Sequence, residues 1–143
     1  MRLIIHAGPH KTGTTSFQKL CYKIKNFLLP YNIYYPSLSN LKDNSYLNQF
    51  FNPQTLANLI NHNPLAWLLV KGDFNEVDSY FKNIYNEARD LSCHNILLSL
   101  EDLENLLVDT HIAIKLEKTL HDIGFDEICW VFVKREPFSY LNS

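Results

Sequence analysis

Apolar residues in this chain come in two arrangements, short continuous blocks and longer spaced runs, and the two separate strands from helices. "RLII" at the start and "NILLSL" at 95–100 are blocks of the kind that buried strands show. "EICWVFVK" at 127–134 is almost continuously apolar, as a central parallel strand should be. "NIYYP" at 32–36 supplies a shorter block and a short second strand in chain order. Between the blocks the spacing turns helical. Phe17, Leu20, Cys21, Ile24, Phe27 and Leu28 make one stripe, which Pro30 ends. Val77, Phe81, Ile84, Ala88 and Leu91 mark the buried face of a helix capped by Asp73. "EDLENLL" starts a short helix, and "HIAIKLEKTLHDIG" a longer one that stops at Gly124. Positions 37–70, rich in Asn and broken by Pro53 and Pro64, predict short helices and loops.

Strands alternating with helices predict an α/β domain with a parallel sheet. Ligands in such sheets sit at the carboxyl ends of the strands. Three stretches with chemistry fall at that edge: the turn at 8–16, "SLED" at 99–102 and "REPFSYLNS" at 135–143.

Composition narrows the picture further. With 143 residues, 46% hydrophobic and 20% charged, the chain fits one soluble globular domain spanning 1–143. A net charge of −2 offers no bulk attraction to nucleic acid or anionic membrane, so any anion site must be local. No segment approaches the roughly 18 apolar residues of a membrane span. The N-terminus lacks the features of a signal peptide, which leaves the cytoplasm as the expected location. Cys21, Cys93 and Cys129 form no CxxC pair and read as reduced packing residues.

The turn "HAGPHKTGTTSFQKL" holds two glycines, a lysine and a cluster of hydroxyls between a strand and a helix. Gly8 and Gly13, followed by Thr14 and Thr15, nearly fit the phosphate-binding pattern GxxxxGK[ST]. Thr14 stands in the lysine slot, and the lysine, Lys11, lies inside the loop. Backbone N–H groups from Gly13 to Ser16 would favour an anion at the helix start. Lys11 adds a full charge, and Thr12, Thr14, Thr15 and Ser16 add hydroxyl donors. The alternative is a glycine-rich turn with ordinary Ser/Thr caps.

"GPHKTGTTS" resembles the 5′-phosphosulfate-binding loop of sulfotransferases that use 3′-phosphoadenosine 5′-phosphosulfate (PAPS), a loop that reads roughly P-K-[ST]-G-[ST]-[ST]. The family's second signature is an Arg ending a later apolar strand, with a Ser eight residues on. "VFVKREPFSYLNS" supplies Arg135 and Ser143 in that relation. The resemblance implies a three-layer P-loop-NTPase-like α/β domain with a central parallel sheet, whose C-terminal part would be missing here. It implies PAPS as donor, no metal, and an acceptor hydroxyl or amine on a carbohydrate, lipid or small molecule. His10, Lys11, Thr12, Gly13, Thr14, Thr15 and Ser16 would hold the 5′-phosphosulfate, and Arg135 and Ser143 the 3′-phosphate. Lys11 would also stabilise charge on the leaving oxygen. The planar fork of Arg135 suits a phosphate dianion.

A base is needed for the acceptor's proton. Glu101 and Asp102 follow the 95–100 strand at its carboxyl end, where an acid/base group belongs, and Glu101 is the favoured candidate. Alternatively the pair only charges the first turn of the next helix, and His10 is a second candidate base. His6 reads as a packed core residue, and His62, His94, His111 and His121 as surface residues. The six histidines lack metal-ligand spacing. Tyr31, Tyr34, Tyr35, Phe50 and Phe51 either pack in the core or line an acceptor pocket. A P-loop kinase or nucleotide hydrolase, and an inactive nucleotide-binding remnant, are the competing functions.

Overall fold

The computed structural model describes residues 1–7, 14–101, 103 and 109–132. Four strands form one sheet: β1 (Arg2–Ala7), β2 (Ile33–Tyr34), β3 (Asn95–Leu100) and β4 (Glu127–Phe132). Among the described residues five α-helices accompany them: α1 (Thr14–Leu28), α2 (Pro53–Ala57), α3 (Asn63–Lys71), α4 (Phe74–Asp90) and α5 (Thr110–Ile123). The strand order is β2-β3-β1-β4 and every pairing is parallel. Arg2 lies opposite Asn95 on one side and Glu127 on the other, so the strands start and end level.

This order fixes where the helices go. The connection from β1 through α1 to β2 runs one way along the sheet, and the connection from β3 through α5 to β4 runs the other way. Right-handed crossovers then put α1 and α5 on opposite faces. The contacts agree: α3 and α4 pack on β3, and α4 packs on α5, whereas α1 touches β2. Alternation along the strands divides the side chains accordingly. Leu3, Ile5 and Ala7 of β1 and Ile96, Leu98 and Leu100 of β3 enter one core. From the helices, that core takes Leu65, Leu68 and Leu69, then Val77, Phe81, Ile84 and Ala88, and finally Leu116 and Leu120. His6 and Ser99 face α1 instead.

The turn chemistry follows the sequence at several points. Gly124 takes φ +118° and its N–H bonds the carbonyls of Leu120 and His121, closing α5. Asp109 caps the start of that helix by accepting the His111 N–H.

Several expectations need correction. Pro53 and Pro64 begin α2 and α3 rather than interrupt them, since proline has no N–H to lose in a first helical turn. The α1 stripe buries only Cys21 of its six members; Phe27 is 75% exposed and Leu20 54% exposed. Leu91 is exposed beyond the end of α4, and Tyr80, not counted in that helix's buried face, is fully enclosed. Asp73 precedes α4 without a side-chain cap bond. β4 ends the strand order instead of occupying the centre, and its residues are half-buried or exposed, because β1 and β3 fill the two inner positions. The helix expected from "EDLENLL" lies largely outside the described residues.

Candidate functional site

Adjacent strands whose onward connections run in opposite directions leave a crevice outside their carboxyl ends. Here those strands are β1 and β3. Ala7 ends β1 and Thr14 starts α1, so the two bracket the glycine-containing turn; Glu101 immediately follows β3. Thr14 is buried while Thr15 and Ser16 are exposed, at the amino end of a 15-residue helix. A helix start directs its first-turn N–H groups outward, and with the helix dipole this favours an anion. His10, Lys11, Thr12, Gly13, Asp102, Arg135 and Ser143 lie outside the described residues. The structure therefore brings Thr14–Ser16 and Glu101 to one edge of the sheet.

Behind this edge lies a buried polar network centred on Ser99, which is 0% exposed. Its Oγ stands 2.8 Å from His6 Nδ1 and accepts from Gln18 Nε2 at 3.2 Å. Ser99, His6 and Glu101 resemble a nucleophile, a base and an acid in composition, but an enclosed Ser99 hydroxyl cannot reach a substrate. Burial lowers the His6 pKa, and the charge of Glu101 pulls it back up.

β2 is only two residues long, so beyond Ile96 the outer edge of β3 needs other partners. His62 and Asn63 provide them. The His62 N–H donates to the Ser99 carbonyl at 2.9 Å, and the Ser99 N–H donates to His62 Nδ1 at 3.0 Å. Two residues on, the Glu101 N–H donates to Asn63 Oδ1 at 2.7 Å. A ring nitrogen that accepts from an amide carries no proton, so the His62 proton sits on Nε2, 3.0 Å from the Pro36 carbonyl. Full burial pushes the His62 pKa down to about 4, against the opposing pull of the hydrogen bonds to Pro36 and Ser99. His62 is thus not the surface residue expected of it. It substitutes for a missing strand and, with Asn63, fixes the backbone that presents Glu101.

His94, His111 and His121 are exposed, as expected. The aromatic candidates divide. Tyr35 is buried and donates to the Ile60 carbonyl at 2.7 Å, and Tyr34 donates to Glu87 at 2.6 Å. Phe51 stacks on Trp67, and the exposed Phe50 meets Tyr46 and Trp67 edge-on. Tyr31 is exposed.

A polar cleft at the opposite, amino-end edge is lined by Met1, Arg2, His94, Asn95, Asp126 and Glu127. Its charges are already matched, the Met1 amine with Asp126 and Arg2 with Glu127. Among the described residues no three His, Cys, Asp or Glu side chains group as a metal site, and no helix is long and apolar enough to cross a membrane.

Sequence reasoning missed Gln18 and Asn63, took His62 for a surface residue, and singled out Ser99 only as part of "SLED". One signal was present: Ser99 is a lone hydroxyl inside the apolar run "NILLSL", and a buried hydroxyl needs partners. No family model, no curated protein and no solved structure matches the chain.

Proposed function

We propose that the chain is the donor-binding part of a PAPS-dependent sulfotransferase. The observation that carries this reading is the meeting, at one switch-point edge, of the α1 start that completes "GPHKTGTTS" with the carboxylate of Glu101. The four-stranded parallel sheet suits a P-loop-like domain, with α1 on one face and α3–α5 on the other.

In this reading the acceptor oxygen attacks the donor sulfur while the bond from sulfur to the 5′-phosphate oxygen breaks. The acceptor's proton passes to Glu101. Lys11 and the N–H groups of the turn and helix start stabilise the negative charge that develops on the leaving phosphate. Adenosine 3′,5′-bisphosphate departs. Arg135 and Ser143 read its 3′-phosphate, which a nucleotide diphosphate lacks. A Mg²⁺-dependent kinase or nucleotide hydrolase would use the same edge, with Glu101 toward the metal, and an inactive remnant would retain binding alone.

Calorimetric titration with adenosine 3′,5′-bisphosphate, ADP and ATP·Mg²⁺ separates these readings. The bisphosphate should bind best and without Mg²⁺. Lys11→Ala should weaken it by roughly ten- to a hundredfold, the worth of a charged hydrogen bond, and Arg135→Ala should erase the preference over ADP. Equal affinities or a strict Mg²⁺ requirement would overturn the proposal in favour of the nucleotide hydrolase. Uptake of the bisphosphate without sulfuryl transfer from labelled PAPS to any hydroxyl acceptor would favour the remnant.

A further inference from the structure

Helix α1 carries the anion-binding start, yet apolar packing holds it weakly. Of its 15 residues only Thr14, Gln18 and Cys21 are buried. Phe17, Leu20 and Phe27 are exposed to solvent to differing degrees. Among the described residues, apolar enclosure contributes less to the seating of α1 than it does for α4. What does fix it is polar. Gln18, on the second turn of α1, reaches through to Ser99 on β3, and Ser99 in turn meets His6 on β1. Three elements join at a single hydroxyl.

An amide nitrogen only donates, so Ser99 Oγ accepts from Gln18 and still has a second lone pair and its own proton. It meets His6 Nδ1 as donor or as acceptor according to the imidazole tautomer. Burial disfavours the imidazolium, although Glu101 opposes it. Phe17 closes over the ring with centroids 4.5 Å apart, which fixes its plane. A buried hydrogen-bonded trio constrains rotation and height in a way that an apolar trio of the same volume does not. Strand alternation sets Glu101 two residues beyond Ser99 on the same side of the sheet as His6.

We propose that His6 is a positioning residue: through Ser99 and Gln18 it locks α1 to the end of β3, so that the helix start at Thr14–Ser16 and the carboxylate of Glu101 keep a fixed relation. The latch stands on the hydrogen bonds themselves, and its service to a nucleotide rests on the sulfotransferase reading.

The test compares His6→Asn, His6→Gln and Gln18→Leu in the full chain. An Asn side chain sets a polar atom near the place of Nδ1, whereas Gln sets one near Nε2 and leaves Ser99 without its partner. Amide hydrogen exchange along α1 in the ligand-free chain is the first readout, with β1 and β3 as internal references. Affinity for adenosine 3′,5′-bisphosphate is the second. His6→Gln and Gln18→Leu should each speed exchange in α1 about tenfold relative to the strands and weaken the bisphosphate about tenfold, the loss of one buried hydrogen bond. His6→Asn should stay within about threefold of the unmutated chain on both measures. Unchanged α1 exchange in His6→Gln and Gln18→Leu, or a His6→Asn chain as impaired as His6→Gln, would overturn the latch. An unmutated chain that takes up no bisphosphate, with exchange behaving as expected, would overturn the donor-site reading and leave the latch standing.

Discussion

His62 is the residue on which the carboxyl edge most depends, and its environment makes a prediction about acid. The folded chain holds its imidazole neutral, with a pKa pushed down to about 4 by burial. The unfolded chain binds that proton near pH 6.5, the ordinary histidine value. A depressed folded pKa means that the contribution is fully present above pH 6.5 and is lost as pH falls through about 4. Over the interval this amounts to about 3 kcal/mol of stability. His6, lowered in the same direction, adds to the loss. Denaturant unfolding at pH 7.5 and pH 4.5 should show the unmutated chain losing about 2–3 kcal/mol more between the two conditions than His62→Gln does. Parallel losses in the two chains would mean that His62 does not titrate with folding. The sequence concealed this residue because "NHNP" reads as a surface turn. Only the shortness of β2 turns the histidine inward to complete the edge of β3.

At the scale of elements, what was readable was whatever local chemistry decides. The strands β1, β2 and β3 lie where apolar blocks placed them, and Gly124 ends α5 because a left-handed cap suits glycine. What was not readable depended on neighbours. The α1 stripe has helical spacing but buries only Cys21 of its six members, and "EICWVF" has the composition of an inner strand but a place at the end of the order. The turn at residues 8–13, with Lys11, and the Arg135–Ser143 motif were legible only as patterns, and they lie outside the described residues. Two positive-φ glycines among the described residues allow an element-scale test. Gly72 ends α3 at φ +84° with open space where a Cβ would stand. Gly124 sits at φ +118°, and a Cβ there would come within 3.1 Å of the Tyr85 hydroxyl. Tyr85 cannot yield freely, because its ring packs edge-on against Phe125 at 5.2 Å. Both Gly→Ala changes should cost about 1–2 kcal/mol in backbone strain. Gly124→Ala should cost about 1–3 kcal/mol more, because the Tyr85 hydroxyl end must give way to the new Cβ while its ring is held against Phe125. Thermal unfolding of the two variants decides the point: equal shifts in Tm would show that Tyr85 gives way without loss.

For the whole molecule, the strand order divides the sheet into two unequal faces, and that asymmetry governs both stability and the site. The face covered by α3, α4 and α5 holds the continuous apolar core, whereas the face covered by α1 holds the polar network beneath the proposed anion-binding edge. Stability should therefore come from one side of the sheet and chemistry from the other. Two neighbouring leucines on β3 test this division with the same substitution. Leu98 points into the core and is fully buried, while Leu97 points toward the α1 face and is only half-buried. Leu98→Ala removes apolar surface and leaves a cavity that α4 and β1 cannot collapse to fill, which predicts a loss of about 2–5 kcal/mol. Leu97→Ala removes the same atoms from a site already open to water, where no enclosed cavity forms. Its loss should be less than half as large. Because both residues lie on an inner strand of the sheet, backbone pairing and strand propensity are nearly matched, and the difference reports the packing of the two faces. Urea unfolding with unchanged m values would supply the comparison. Equal losses would mean that the α1 face is as closely packed as the core, and the unequal division of the sheet would fall with it.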